Sequence, residues 1–421
     1  MTIGKLLASI EILRKEGKKA CTLLCIGPMS KPVLRAAFEL GNEKDFPVIL
    51  IASRNQVDDD EFGGGYVRGW NQRQFVDEIK KIVDETGFGG LYYICRDHGG
   101  PWQRDKERSD KLPEDMAMEI GRKSYLADLI AGFDLLHIDP TKDPHYAGTV
   151  PMETILSRTV ELIKYIETER RARNLPPIDY EVGTEETNGG LTTPGAYIEF
   201  IEKLKKMLHD ENLPMPVFIV GQTGTLVRLT ENVGRFDIDT AAFLSDSARC
   251  SRLGLKEHNA DYLSNEALLA HMIIGVAAAN VAPEFGVAET EAYLMLSGIE
   301  KIAFERGLVT GVSCFADTIR RAAVSCQRWR KWMTGDVPLM SIEEIEKDNA
   351  LMDVITHSSG HYTFEDAEVS KELSVMKANL RSLGLDPDSL VLDRIKRSIS
   401  RYVDCFGISG LTSLVRKIEN E

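Results

Sequence analysis

The chain has 421 residues, of which 43% are hydrophobic, 28% charged and 7% aromatic. This composition is typical of a folded globular protein and excludes a disordered chain, a collagen and a small disulfide scaffold. The 51 Lys and Arg residues against 65 Asp and Glu residues give a net charge of -14, which argues against a nucleic-acid partner.

Cysteine usage and hydropathy indicate the cellular compartment in which the protein is expected. The 7 scattered cysteines form no C-x-x-C pair, which indicates a reducing compartment, so we expect a cytoplasmic protein. Residues 1–16 carry apolar side chains at helical spacing and predict a first helix that faces the core rather than a targeting signal. The longest nearly apolar stretch, residues 272–283, is too short to span a bilayer, so we predict no membrane association.

Short apolar runs alternate with amphipathic segments over the first three quarters of the chain. The apolar runs predict eight strands, at residues 21–27, 47–53, 90–97, 134–139, 178–185, 217–221, 254–258 and 277–282. The amphipathic segments between them predict helices, at residues 31–40, 72–86, 116–131, 152–173, 196–208 and 289–306. Eight such alternations favour a closed (β/α)8 barrel over an open doubly wound sheet.

The pattern becomes wholly helical beyond the last of these segments. Helices are predicted at residues 317–332, 341–351, 365–383 and 390–406. We therefore predict an α/β fold, with a (β/α)8 TIM barrel at residues 1–306 and a C-terminal helical extension at residues 307–421 that packs on it. The segment around Gly360 and His361 is hypothesised to cap the barrel rim.

Polar residues stand at the carboxyl ends of most predicted strands. In a barrel these ends meet at one rim, where catalytic groups are found. The strand-end residues are Asn55, Gln56, Asp97, His98, His137, Asp139, Glu181, Glu185, Gln222, His258 and Asp261. Their convergence predicts a site for a hard cation and for proton transfer.

Side-chain alternation narrows the candidates for metal binding. His137 and Asp139 share one face of their strand, and Glu181 and Glu185 share a face of the next. Gly183, which lies between the two glutamates, leaves room inside the barrel. A carboxylate with two imidazoles favours Zn²⁺ as the divalent metal and also suits Mn²⁺ or Co²⁺.

Two histidines are the preferred candidates for the imidazole ligands. A single buried His is usually an ordinary core residue, but His98 and His258 both stand at strand ends, so we predict that they bind metal. His137 is instead assigned to the core, with Asp139 or the backbone as its partner.

Several well-known catalytic motifs are absent from the sequence. It has no G-x-x-x-x-G-K-[ST] loop, no G-x-G-x-x-G after the first strand and no G-x-S-x-G elbow. Residues 221–225 could offer backbone N–H groups to a phosphate, although an ordinary tight turn is the preferred interpretation. The sequence therefore gives no support for ATP binding of the P-loop kind.

A series of short motifs carries a family resemblance across most of the barrel. The matching pieces are Asn55-Gln56-Val57, Gly64-Gly65-Tyr66, Asp97-His98-Gly99-Gly100-Pro101, Ala131-Gly132-Phe133, His137-Ile138-Asp139, Gly183-Thr184-Glu185, and His258 with Asp261-Tyr262. With these motifs in order, the sequence resembles the family of the non-catalytic subunit of class II D-tagatose-1,6-bisphosphate aldolase. The helical extension matches that family poorly.

The resemblance implies roles for individual residues. Catalytic class II aldolases carry a His-x-Asp-His-Gly motif, in which Asp moves a proton and the following His binds metal. Cys95 replaces the first His here, whereas Asp97 and His98 are kept. By resemblance, Asp97 is catalytic, His98 and His258 are metal ligands, and Glu185 is both ligand and catalytic residue, although Glu181 also fits by parity. The remaining strand-end residues are assigned to substrate binding: Asn55, Gln56, Asp139, Gln222 and Asp261.

Two functions remain open from the sequence. The first is a metal-dependent epimerase acting at C-3 or C-4 of a ketose, ketose phosphate or ketouronate. The second is a non-catalytic accessory subunit that stabilises a class II tagatose-1,6-bisphosphate aldolase. Retention of Asp97, His98, Glu185 and His258 together favours the enzyme, because a subunit selected only for packing needs no such groups. The expected partners are accordingly a sugar or sugar phosphate, an aldolase catalytic subunit, or a second copy of the chain.

Overall fold

A computed structural model of the chain describes residues 1–184 and 190–420. Eight parallel strands close into a barrel, and each is hydrogen-bonded to the next in chain order, with the eighth paired to the first. The strands are β1 (Leu23–Ile26), β2 (Val48–Ser53), β3 (Tyr92–Gly99), β4 (Leu135–Ile138), β5 (Asp179–Val182), β6 (Phe218–Val220), β7 (Gly254–Glu257) and β8 (Ala278–Val281). The predicted TIM barrel and all eight of its strands are confirmed, most of them with shorter bounds.

Sixteen helices accompany the strands within the described ranges. They are α1 (Ile3–Lys15), α2 (Lys31–Lys44), α3 (Gln72–Thr86), α4 (Asp105–Ser109), α5 (Glu114–Ala131), α6 (Met152–Ala172), α7 (Pro194–Asp210), α8 (Ile238–Cys250), α9 (Asn265–Ile274), α10 (Pro283–Glu305), α11 (Phe315–Ser325), α12 (Ile342–Ile345), α13 (Asn349–Ser359), α14 (Ala367–Ser382), α15 (Pro387–Cys405) and α16 (Leu411–Asn420). Three 3-10 turns, Arg328–Trp332, Val337–Leu339 and Gly360–Tyr362, belong to the described part of the C-terminal extension.

Local sequence signals account for these elements. The strands are apolar runs buried on both faces, as β1 shows with four buried residues out of four, because helices cover the outside of a parallel barrel. Several helices, among them α2 and α3, start at side-chain caps. Ser30 accepts the backbone N–H of Val33 at the start of α2, and Asn71 forms a capping box with Gln74 at the start of α3. None of the helices within the described ranges is long and apolar enough to cross a bilayer.

The predicted C-terminal helices are present, and several of them contact the barrel helices. Helix α15 lies against α2 and α10, and its buried face includes Ile395, Ile399 and Tyr402. These side chains belong to the same hydrophobic core as the strands. The Tyr402 hydroxyl also bonds Glu284 at the start of α10. The division of the chain at residues 306 and 307 into two domains stays a prediction.

The interface between α2 and α10 contains a buried carboxyl group whose protonation is linked to stability. Glu289 is 1% exposed and accepts a hydrogen bond from the Ser30 hydroxyl. Burial raises the pKa of Glu289 from 4.5 to about 7. Because the folded pKa is the higher one, the stability that this group contributes is complete below pH 4.5 and is lost as the pH rises through 7.

We expect Glu289→Gln, which mimics the neutral acid, to become more stable relative to the parent chain as the pH rises. The difference in melting temperature should be small at pH 4.5 and should grow in favour of the variant up to about pH 8. Glu305→Gln, at the exposed end of the same helix, is the control. A difference that is the same at every pH would contradict this linkage.

Candidate metal and proton-transfer site

The carboxyl end of β3 is bent so that two polar residues turn into the barrel mouth. The pairing of β3 with β4 shifts register between Arg96 and Gly99, and His98 has a φ of 43°. A left-handed backbone costs a non-glycine residue of the order of 1 kcal/mol or more, and such strain concentrates at functional sites. A Cβ on Gly99 would lie only 2.8 Å from the carbonyl oxygen of His137, so this approach of β3 to β4 requires glycine.

Four side chains from three strand ends, two of them adjacent and one across the barrel, meet inside the mouth. Asp97 and His98 come from β3, His137 comes from β4, and His258 follows β7. One possible ligand atom from each lies within 4.8 Å of all the others. Oδ1 of Asp97 is 3.9 Å from Nε2 of His98, 3.7 Å from Nδ1 of His258 and 3.9 Å from Nδ1 of His137. A tetrahedral metal with bonds of ~2.1 Å separates its ligand atoms by ~3.4 Å, so these spacings suit one ion.

Two carboxylates fix which ring nitrogens of the cluster carry protons. Asp139 Oδ2 lies 2.6 Å from Nδ1 of His98, and Glu181 Oε1 lies 2.7 Å from Nε2 of His258. A carboxylate accepts the ring N–H, which leaves the opposite nitrogen of each neutral ring with its lone pair. These two opposite nitrogens face each other at 3.0 Å. Two lone pairs at this distance repel unless a cation lies near both, so the donor set fits a divalent metal.

A buried ion pair lies directly beneath the cluster. Lys256 Nζ is 2.5 Å from Glu181 Oε2, and both side chains are at most 1% exposed. Burial by itself would raise the pKa of Glu181, but His137, Lys256 and His258 together lower it to about 2. Burial would likewise raise the pKa of Asp97, yet the neighbouring histidines hold it well below its usual range. Both carboxylates are therefore ionised and can polarise the imidazoles around them.

The predicted site residues separate into two groups. Asp97, His98 and His258 come together, and Asp139 joins them through its bond to His98. Asp139 Oδ1 also accepts bonds from the backbone and hydroxyl of Thr141, which fixes its orientation. Glu185, predicted as catalytic residue and ligand, lies outside the described residues.

The other predicted substrate-binding residues lie around this cluster, in rim loops. Asn55 donates to the carbonyl of Gln103 at 3.2 Å, and the Gln56 side chain accepts the backbone N–H of Ser53 at 2.8 Å. The Asn55 contact connects the loops that follow β2 and β3, whereas the Gln56 contact stays within the end of β2.

Two further predicted residues lie after β6 and β7. The backbone of Gln222 bonds the loop at Thr192. Asp261 Oδ1 accepts the backbone N–H groups of Ala282 and Glu284, and so caps the start of α10. Their assignment to substrate binding, like that of Asn55 and Gln56, stays a prediction.

Sequence reasoning missed three contributors to this site. His137, assigned to the core, does accept a backbone N–H, that of His98 at 3.2 Å, but its ring is also part of the four-residue cluster. Asn280 donates to Asp97 Oδ1 at 3.0 Å, and Lys256 pairs with Glu181. The signal was a polar residue within a short buried strand: Asn280 is the one polar residue of β8, and Lys256 precedes Glu257 in β7.

The fold and the site define a class: a TIM-barrel protein with a candidate metal and proton-transfer centre at the carboxyl ends of its strands. More particularly, the chain belongs to the D-tagatose-1,6-bisphosphate aldolase subunit GatZ/KbaZ-like family, which matches residues 7–401. The resemblance carried by the barrel motifs is thereby confirmed, and the match extends over most of the helical extension.

Two crystal structures share this fold. A probable tagatose 6 phosphate kinase from Sinorhizobium meliloti 1021 is 21% identical with a TM-score of 0.73, and the match covers 91% of this chain and all (100%) of that chain. The fructuronate-tagaturonate epimerase UxaE from Cohnella laeviribosi is 11% identical with a TM-score of 0.54, over 92% of this chain and 82% of that chain. At such identities the likeness establishes the fold alone. No curated protein matches the chain.

Proposed function

We propose that this chain is a metal-dependent epimerase that inverts C-4 or C-3 of a ketose, ketose phosphate or ketouronate by retro-aldol and aldol chemistry. The observation that carries this proposal is the pair of imidazole lone pairs of His98 and His258, facing each other at 3.0 Å beside the ionised carboxylate of Asp97. A barrel selected only for packing has no reason to bury such a set of acceptors at its mouth.

The metal would be held by His98 and His258, with Glu185 as a proposed further ligand, and Zn²⁺ is favoured over Mn²⁺ or Co²⁺ because two ligands are imidazoles. When bound, it supplies Lewis acidity toward the substrate carbonyl. Asp139 and Glu181 orient the two ligand rings through their second nitrogens. Asn280 holds the Asp97 carboxylate in place by donating to one of its oxygens.

Asp97 is proposed to move the proton in this reaction. In C-4 epimerisation it takes the proton of the C-4 hydroxyl, and the bond between C-3 and C-4 breaks with its electron pair left on the carbonyl-bearing fragment. The other fragment becomes an aldehyde, which turns and is attacked on its opposite face. Asp97 then returns the proton to the new hydroxyl oxygen, so that no atom is gained or lost.

The second candidate function is an accessory subunit that stabilises a class II tagatose-1,6-bisphosphate aldolase. The description of the family as an aldolase subunit favours it. An exposed apolar strip on α10, formed by Met295, Ile299 and Ile302, offers a surface for a catalytic partner or for a second copy of the chain. Absence of turnover, together with stabilisation of a co-expressed class II aldolase, would support this role.

Product analysis separates the two functions. The purified chain is incubated with divalent metals and a panel of ketoses, ketose phosphates and ketouronates, and products are followed by carbon NMR. An epimerase gives a second ketose with inverted C-3 or C-4. Running the reaction in D2O tests the route, because proton abstraction beside the carbonyl places deuterium on the inverted carbon. The retro-aldol route leaves the hydrogen on that carbon in place.

Metal binding can be tested without turnover. We expect the purified chain to bind about one divalent ion, and His258→Ala to lose most of this affinity, because removing a ligand leaves an incomplete coordination shell. His209→Ala is the matched control, since the His209 side chain is 91% exposed on α7. Titration calorimetry with Zn²⁺ and Mn²⁺ measures both variants. Equal affinity in His258→Ala and the parent chain would show that the metal binds elsewhere.

A further inference from the structure

The helical extension brings positive charge to the rim of the barrel, next to the candidate metal site. Arg328 and Lys331 lie on the 3-10 turn Arg328–Trp332. This turn is anchored by buried Trp329 and by the indole of Trp332, which donates to the Tyr362 hydroxyl at 3.2 Å. The Arg328 guanidinium lies 4.2 Å from the ring centre of Tyr66 in the barrel. The turn is thus held in place over the loops that follow β2 and β3.

Four cations surround one carboxylate at this junction. Lys331 Nζ is 4.0 Å from Asp105 Oδ2, and Arg108 bonds the other oxygen of Asp105. Burial would raise the pKa of Asp105, but Lys331, Arg108, Arg328 and Lys142 lower it. Within residues 1–184 and 190–420, neither Arg328 nor Lys142 forms an ion pair. Lys142 also lies near the Asp139 carboxylate, so the four cations face two carboxylates and a local excess of positive charge remains.

Burial and the excess of positive charge lower the pKa of one of the cations, Lys331. Lys331 is 39% exposed to water, so a ligand in solution can reach its ammonium group. The surrounding protein, together with Arg328, Lys142 and Arg108, still lowers the pKa of Lys331 to about 8. A negative ligand would relieve this mutual repulsion.

A buried histidine nearby lacks hydrogen-bond partners. His361 is 4% exposed, and neither of its ring nitrogens has a partner among the described residues. Burial, with Arg328 and Lys331 next in effect, lowers the pKa of His361 to about 3, so the ring is neutral and offers one N–H donor. Buried polar groups are nearly always paired, so the N–H of His361 is a donor that an anionic ligand or a water molecule can use.

Lys142 is the cation of this group that lies next to the candidate metal site. It follows β4 and lines a small pocket together with His98, His137, Asp139 and Gly183. A Cβ on Gly183 would stand 3.3 Å from His137 Nε2, so glycine keeps this pocket open. Lys142 is therefore the cation that acts on both the carboxylate of Asp139, beside His98, and the carboxylate of Asp105.

We propose that Arg328 and Lys331 of the extension, with Arg108 and Lys142 of the barrel, form a subsite that binds the anionic end group of the substrate. The inference rests on the proposed function, according to which the reacting carbons of the same substrate lie at the candidate metal site. The end group is a phosphate or a carboxylate, both of which guanidinium and ammonium groups bind by charge-assisted hydrogen bonds. The extension would thus determine specificity, selecting anionic over neutral ketoses.

Direct binding to the full-length chain tests this subsite. Glycerol 3-phosphate and glycerate serve as probes of the two end groups, and titration calorimetry measures their affinity. We expect at least one of them to bind, and Lys331→Met to weaken it by about ten-fold or more, because a charge-assisted hydrogen bond is lost. Preference for the first probe assigns the end group as phosphate, and preference for the second assigns it as carboxylate.

Controls separate this subsite from general charge effects and from failure of the proposed function. Lys347→Met removes an exposed lysine elsewhere on the extension and should leave the affinity unchanged. Lys142→Met removes a cation from the barrel side and should weaken binding even if a variant of the extension folds poorly. No binding of either probe, or equal losses in Lys331→Met and Lys347→Met, would overturn the proposal. Anion binding lost in Lys331→Met but kept in His258→Ala would establish the subsite even where no ketose is turned over.

Discussion

Replacing Asp97 with asparagine is expected to lower turnover by ~10²- to 10⁴-fold while the fold is kept. The amide has nearly the same shape as the carboxylate and can still accept the hydrogen bond from Asn280. It cannot accept the hydroxyl proton of the substrate. Since His98 and His258 are the proposed imidazole ligands, metal occupancy should remain close to that of the parent chain.

The measurement is kcat and KM on whichever ketose the product analysis identifies, with metal content determined on the same samples. Asp393→Asn, on an exposed position of α15, is the control and should keep full activity. A fall in kcat with unchanged KM and metal content is the expected result. If turnover and metal are lost together, Asp97 acts as a ligand, and the proton must be moved by another group.

Much of the barrel could be predicted from the sequence because its strands are short, apolar and evenly spaced. Polar residues at the ends of those strands, such as Asp97 and His258, then had to share one rim. The prediction that His98 and Asp139 lie at one site is explained by the same rule, and the two side chains are in contact at 2.6 Å. For Glu185 the question stays open, because it lies outside the described residues.

The interior of the barrel could not be predicted from strand ends alone. Lys256 and Asn280 lie within strands rather than after them, and the stagger between neighbouring strands decides which interior side chains meet. The contacts of Lys256 with Glu181 and of Asn280 with Asp97 therefore require the closed barrel. His137 was assigned to the core for a related reason, since its distance from Asp97 depends on the register shift in β3.

The helical extension was predicted as helices, but its position was not. Helix periodicity shows which face of α15 is buried and says nothing about which barrel helix it contacts. The approach of Lys331 to Asp105 joins residues far apart in the chain, and no local pattern encodes it. The segment hypothesised to cap the rim is largely helical, as the end of α13 and the 3-10 turn Gly360–Tyr362, and His361 from this segment packs against Gly286 of α10.

The largest expected loss of stability comes from Arg96, the residue before Asp97. Its guanidinium forms two bonds with Asp128 of α5, at 2.8 and 2.5 Å, and both side chains are fully buried. The same group donates to the carbonyls of Ala52 and Val57, so it ties the ends of β2 and β3 to α5. Every donor of this kind that is lost inside the protein leaves a buried acceptor without a partner.

We expect Arg96→Met to lower the free energy of unfolding by ~3–5 kcal/mol, because breaking a buried ion pair from one side leaves the carboxylate of Asp128 uncompensated. Arg122→Met, on the same helix α5 as Asp128, removes surface pairs with Glu119 and Glu161 and should cost only ~0–1 kcal/mol. Urea denaturation followed by circular dichroism compares the two variants. Losses of equal size would mean that Arg96 contributes no more than a surface charge. In that case the conformation of β3 that presents Asp97 and His98 must depend on the close approach at Gly99 instead.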